Sequence, residues 1–154
     1  MKIIALIFSV AIAQLAGIIG SFFTSSSVRT WYVDIIKPQW NPPAWLFGPV
    51  WITLYTLMGV AAYLIWQQKD QPGAKIALVV YGIHLALNAL WSIIFFGLKN
   101  PGLAFGEIII LLASILVVAF LFWRINPYAG MLFIPYVLWV SFASFLNYNI
   151  WKLN

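Results

Sequence analysis

Residues Leu103–Trp123 read LAFGEIIILLASILVVAFLFW, with Glu107 as the one charged residue. A helix of about 21 residues crosses the ~30 Å hydrocarbon core of a bilayer. Working outward, similar stretches occur at Ile3–Phe23, Leu46–Trp66, Ile76–Phe96 and Met131–Trp151. Lipid offers no water to unpaired backbone N–H and C=O groups, so such stretches must close their own hydrogen bonds as helices. The 154-residue chain therefore reads as one all-α domain, an integral membrane bundle of five transmembrane helices over residues 1–154.

Composition agrees with the spans. Hydrophobic residues make up 64% and charged residues 7%, against about 25% charged in a soluble domain. A soluble fold of this size leaves too much surface exposed to hide that apolar content. The net charge of +5 reflects only three acids, Asp34, Asp70 and Glu107, rather than a basic cluster. No nucleic-acid footprint results. The absence of cysteine excludes disulfides and thiolate chemistry,. One histidine and three acids supply no metal-ligand set,.

Lys2, an apolar run and Ala11-Ile12-Ala13 resemble a secretory signal, but the apolar run continues through Phe23, so the segment is read as an uncleaved first span. Positive charges do not orient the bundle: Lys2, Lys69, Lys75 and Arg124 lie on the N-terminal side, Arg29, Lys37, Lys99 and Lys152 on the other,.

The connectors QQKDQPGAK, KNPG and RINPYAG are short, so the helices they join are expected to be antiparallel neighbours,. The first connector, Thr24 to Trp45, is long. Its second half runs into KPQWNPPAWLFGPVW, Lys37–Trp51, with four prolines and three tryptophans. Proline fixes φ, so this is a stiffened segment, and Pro49 suits the first turn of a helix.

The nine tryptophans sort by position. Trp66, Trp123 and Trp151 sit at span ends, where interfacial rings are expected,. Trp51, Trp91 and Trp139 lie inside spans, and Trp31, Trp40 and Trp45 in the first connector. His84, Asn88, Trp91 and Phe95 follow helical spacing on one face,. Trp139, Ala143 and Asn147 form a second stripe, and Trp51 with Tyr55 a third. Counted through the topology, these stripes gather in the half of the bundle that the long connector closes. Such an arrangement describes a pocket for a large, flat, apolar ligand, on which rings stack and which a few amides orient. Asn88 and Asn147 read equally as helix-bridging hydrogen bonders. His84 reads as a helix bridge rather than a haem ligand, and the role of Glu107 is open, since an ionisable group inside a membrane is a functional candidate by default. Ala13, Gly17 and Ser21 form a small-residue stripe, either an intramolecular contact or a dimer seam,.

The segments RTWY, KPQWNPPAWLFGPVWITLY, ALNALWSIIFFGLKNPGLA and PYVLWVSFASFLNYNIW resemble the TspO/MBR family: translocator proteins, tryptophan-rich sensory proteins, or peripheral-type benzodiazepine receptors. The similarity extends over nearly the whole chain. The resemblance implies five transmembrane helices, a homodimer, and binding of porphyrins, of sterols in some members, and of synthetic benzodiazepine-type ligands beneath the first connector. It carries over Trp40, Phe47, Trp51, Asn88, Trp91, Trp139 and Ala143 as ligand-binding positions, and it ties Trp51 and Trp139 to light-dependent protoporphyrin breakdown. Leu146 to Lys152 fits a proposed cholesterol pattern,. The chain lacks the basic tail of mammalian members after Asn154, so a bacterial-type member in a bacterial cell membrane with a porphyrin-like ligand is expected.

Three functions follow as expectations. The first is binding, sensing or translocation of tetrapyrroles such as protoporphyrin IX, with ligand contacts from Trp31, Trp40, Phe47, Trp51, Tyr55, Asn88, Trp91, Trp139, Ala143 and Asn147, and with no cofactor required. The second is light-driven porphyrin degradation using Trp51 and Trp139 as catalytic candidates. The third is a structural or partner-binding membrane subunit.

Overall fold

The computed structural model describes residues 2–154, and the regular structure in them is helical throughout. The elements are α1 (Lys2–Val28), a single turn α2 (Trp31–Asp34), α3 (Ala44–Trp66), α4 (Ala74–Ser92), α5 (Pro101–Ile125), α6 (Pro127–Met131) and α7 (Ile134–Leu153). A π-helical turn, Ile93–Gly97, continues α4. Five helical runs, with α6 and α7 counted as one, are long and apolar enough to cross a membrane.

Two boundaries differ from expectation for physical reasons. Helix α1 runs to Val28, through the TSSS taken as connector. Thr24 and Ser25 return their hydroxyls to the carbonyls of Gly20 and Ser21, at 3.0 and 2.6 Å, so these residues satisfy themselves inside a helix. Ser27 donates across to the carbonyl of Phe96 at 2.7 Å, a group that the end of the π turn would otherwise orphan. Helix α3 begins at Ala44, which places Pro49 inside it rather than in its first turn. The cap is the extended Pro43. At the end of the connector between α3 and α4, Gly73 supplies the left-handed turn (φ 85°) that launches α4. Asn100 and Asn126 cap α5 and α6 by accepting from the N–H of Leu103 and Tyr128, each at 3.0 Å,.

Helix α1 packs along both α3 and α4, α5 lies against α4 and α7, and α3 meets α6. Helices α3 and α4 also touch, but each leans more on α1 than on the other. The half of the bundle away from the long connector is solid. Ala61, Ile65, Ala74, Ala77, Phe122 and Phe133 are completely buried there. Lipid is as apolar as these side chains, so what holds the helices is close backbone approach and interhelical hydrogen bonding. At the α1–α3 crossing a Cβ on Gly59 would fall 2.5 Å from the Cα of Val10, and Ser9 donates to the Gly59 carbonyl at 2.7 Å. Ala13 is buried in the same seam, whereas Ser21, the last member of the expected stripe, is exposed. Large apolar side chains such as Ile7, Val79 and Phe120 face outward, as lipid contact requires.

Trp66, Trp123 and Trp151 stand part-exposed at helix ends. Lys69 sits 5.2 Å from the Trp66 ring and Lys152 4.7 Å from that of Trp151. These are the interfacial rings expected of a bilayer boundary.

Candidate functional site: an aromatic chamber

Toward the connector the helices part and leave a cavity of about 740 Å³. Helix α4 contributes Asn88, Trp91 and Phe95 to its wall, the stripe read from helical spacing. Trp139, Ala143 and Asn147 line it from α7, and Phe47, Trp51 and Tyr55 from α3. The rings brace one another. Trp51 stacks on Tyr55 (centroids 5.5 Å apart, 28°), Trp91 on Phe95 (5.0 Å, 24°), and Phe47 meets Trp139 edge-on at 5.8 Å.

Beneath the chamber runs a buried polar chain. Tyr55 donates its hydroxyl to the Asn88 carbonyl oxygen, the Asn88 amide donates to the Tyr136 oxygen at 2.6 Å, and His84 Nε2 lies 2.9 Å from that same oxygen. His84 thus bridges α4 and α7, as expected. The second asparagine is engaged too: Trp91 Nε1 donates to Asn147 Oδ1 at 3.0 Å, and Asn147 donates to the Pro101 carbonyl at 2.8 Å. Each amide therefore fixes helices first and has one N–H left for a ligand. Trp139 Nε1 is buried and has no partner. Both carboxyl oxygens of Glu107 are likewise buried without a partner, and Glu107 is not part of the chamber wall.

Two expected positions are not brought to the wall. Trp31 packs edge-on against Phe95 at 5.6 Å, behind the lining. Trp40 stacks on Phe145 (5.2 Å, 12°) on the outer side of α7. Trp31 opens a single helical turn and Trp40 lies in irregular chain, and neither stretch is long enough or regular enough for spacing to give the direction of its indole. The connector is pinned as a strap. Lys37 Nζ donates to the carbonyls of Tyr32 (2.5 Å) and Ile35 (2.8 Å), while the Asn154 side chain bonds the N–H and C=O of Ile36 at 3.0 and 2.8 Å. Burial pushes the Tyr32 phenol above its usual range, and its hydrogen bond to Asn41 opposes that shift. Tyr32, Ala44 and Trp45 reach the chamber itself.

Helix α1 supplies a wall that sequence reasoning missed: Gln14, Gly17, Thr24 and, just beyond its end, Arg29. Thr24 and Arg29 fall in the stretch that the sequence assigns to the first connector, where no helical spacing is expected. On the lipid side, an open groove is bordered by Pro42, Leu46, Pro49, Leu138 and Phe142. Trp139 borders both spaces, so one indole partitions chamber from lipid.

The family description "TspO/MBR family" matches residues 9–152. The chain is 41% identical over 155 residues to the tryptophan-rich protein TspO of Archaeoglobus fulgidus, covering 100% of this chain and 99% of that one. It is 36% identical over 138 residues to the translocator protein of Homo sapiens, covering 88% and 82%. It is also 36% identical over 124 residues to the tryptophan-rich sensory protein of Cereibacter sphaeroides, covering 80% and 77%.

Proposed function

The chain belongs to the TspO/MBR family, and we propose that it acts in membrane sensing or translocation by binding flat, apolar ligands of the tetrapyrrole class, protoporphyrin IX among them, in the aromatic chamber. The relatives named translocator protein and tryptophan-rich sensory protein support the sensing or translocating role. One observation carries the ligand class: a space of about 740 Å³ in the membrane, bordered by Trp51, Trp91 and Trp139. That volume falls within the roughly 300–1,000 Å³ of small-molecule sites. Indole faces present area for a planar ring system, and the spare N–H groups of Asn88, Asn147 and Trp139 meet its polar edges. No cofactor is needed for binding; the porphyrin is the ligand. A tryptophan-fluorescence titration with protoporphyrin IX in detergent tests the reading. Saturable quenching, reduced by Trp51→Phe and Trp139→Phe but not by Trp66→Phe or Trp123→Phe, supports a chamber. Uniform quenching that never saturates supports partitioning into the micelle, and with it a structural or partner-binding subunit.

A second reading is light-dependent breakdown of the bound porphyrin. It is favoured by the placement of Trp51 and Trp139, the two oxidisable candidates, on the same wall set. Product that still forms in the dark and in the Trp51→Phe/Trp139→Phe variant would dispose of it. The homodimer implied by the family stands as a proposal as well, tested by cross-linking in native membranes.

A further inference from the structure

From the charge distribution around the chamber we infer that Arg29 is the residue that recognises the ligand's acidic edge, holding a carboxylate at the mouth while the flat apolar body lies deeper. The inference rests on the chamber reading above and adds the residue that orients the ligand in it.

Arg29 is the one charged side chain in the chamber wall. Most of the other polar groups there are hydrogen-bonded inside the protein, the exceptions being the uncharged Ser92 hydroxyl and the indole N–H groups of Trp45, Trp51 and Trp139. Gln14 donates to the Ile52 carbonyl and to Thr56, each at 3.0 Å. Ser21 donates to the Ile18 carbonyl at 2.7 Å, and Thr24 and Ser25 bond back within α1. Tyr32 donates to Asn41 at 3.0 Å, and the two asparagines are engaged as described. Lys37, the other cation of the strap, is consumed by the carbonyls of Tyr32, Val33 and Ile35. Arg29 by contrast makes no side-chain hydrogen bond or ion pair among the described residues, and it stands exposed one residue past the end of α1. A guanidinium presents a planar fork of donors that matches a carboxylate. The chamber is therefore amphipathic. Its depth is aromatic, and its unspent strong donor lies at the rim by the connector. A ligand that fits both parts places its ring system against the indoles and its acid at Arg29.

A lipid phosphate offers the same anionic chemistry to Arg29, so the test separates the two sources. Protoporphyrin IX and its dimethyl ester share one macrocycle and differ in carboxylate charge. Both are titrated into wild type, Arg29→Gln and Arg29→Lys in a neutral, phosphate-free detergent, with helicity checked by circular dichroism. The expected result is wild-type binding of the diacid about two- to fivefold tighter than the diester, the range of an exposed ion pair rather than a buried one. Arg29→Gln is expected to erase the preference, so that diacid and diester bind that variant equally, and Arg29→Lys to retain part of it. Added salt should narrow the gap. Equal wild-type affinity for the two probes overturns the proposal, as does a preference that survives Arg29→Gln; a preference seen in the phosphate-free detergent but abolished by added anionic phospholipid shows that headgroups compete for the same guanidinium. Binding of neither probe sinks the chamber reading itself and this one with it.

Discussion

Replacing Tyr136 by phenylalanine removes one oxygen from the middle of the bundle and keeps the ring. That oxygen accepts from the Asn88 amide at 2.6 Å and meets His84 Nε2 at 2.9 Å, while Tyr136 is fully buried and lies outside the chamber wall. Both contacts join α4 to α7. Interhelical hydrogen bonds in membrane bundles contribute about 0.6 kcal/mol on average and up to about 1.7. Losing the two should therefore destabilise the fold by about 1–3 kcal/mol, roughly five- to 150-fold in the unfolding equilibrium. The tilted contact between Phe133 and ring 136 and its edge contact to Trp51 survive the change, so porphyrin affinity should hold within about twofold, far less than the stability change. Reversible unfolding in mixed micelles, followed by far-UV circular dichroism, reads the first quantity, and a quenching titration reads the second. Unchanged stability would show that the polar chain is not what clamps α4 to α7. Collapsed affinity with intact stability would place the hydroxyl at the ligand, contrary to the geometry.

Ala143→Phe fills chamber space beside Trp139 and should weaken protoporphyrin IX binding about tenfold, the low end of an overpacking cost of about 1–3 kcal/mol, with an unchanged melt; titration and circular dichroism check both halves. Gly59→Val forces a side chain onto the Val10 backbone, 2.5 Å from its Cα, and should lower unfolding stability by about 1–3 kcal/mol in the same micelle assay. Trp40→Ala removes a ring stacked on the outside of α7 and should leave porphyrin affinity within about twofold, whereas Trp51→Ala should cost about tenfold or more, as loss of a pocket aromatic does. Direct titration of the two variants side by side decides.

The spans were legible because lipid imposes one rule, internal closure of backbone hydrogen bonds, on stretches long enough to show it. The three stripes on α3, α4 and α7 were legible for the same reason: inside a regular helix, spacing fixes direction. Trp31 and Trp40 lie where no period is long enough to read, and composition alone could not tell a ring that faces the chamber from one that packs behind or outside it. Ser25 and Thr24 misled in the other direction, since residues that cap and break helices in water can return their hydroxyls to their own helix in lipid. That hid the last turns of α1, and with them Arg29. Pro49 was placed in a first turn because the helix start was put at Leu46 rather than Ala44. The asparagines were read as lining or bridging; they do both, and which partners they take depends on side chains such as Tyr136 that carry no signal of their own.

The most direct test is a structure of the protein with protoporphyrin IX bound. Macrocycle density between the indoles of Trp51, Trp91 and Trp139, within the connector-covered half of the bundle, is the result expected. Density on the outer groove beyond Trp139, or a chamber still empty at saturating ligand, would contradict it.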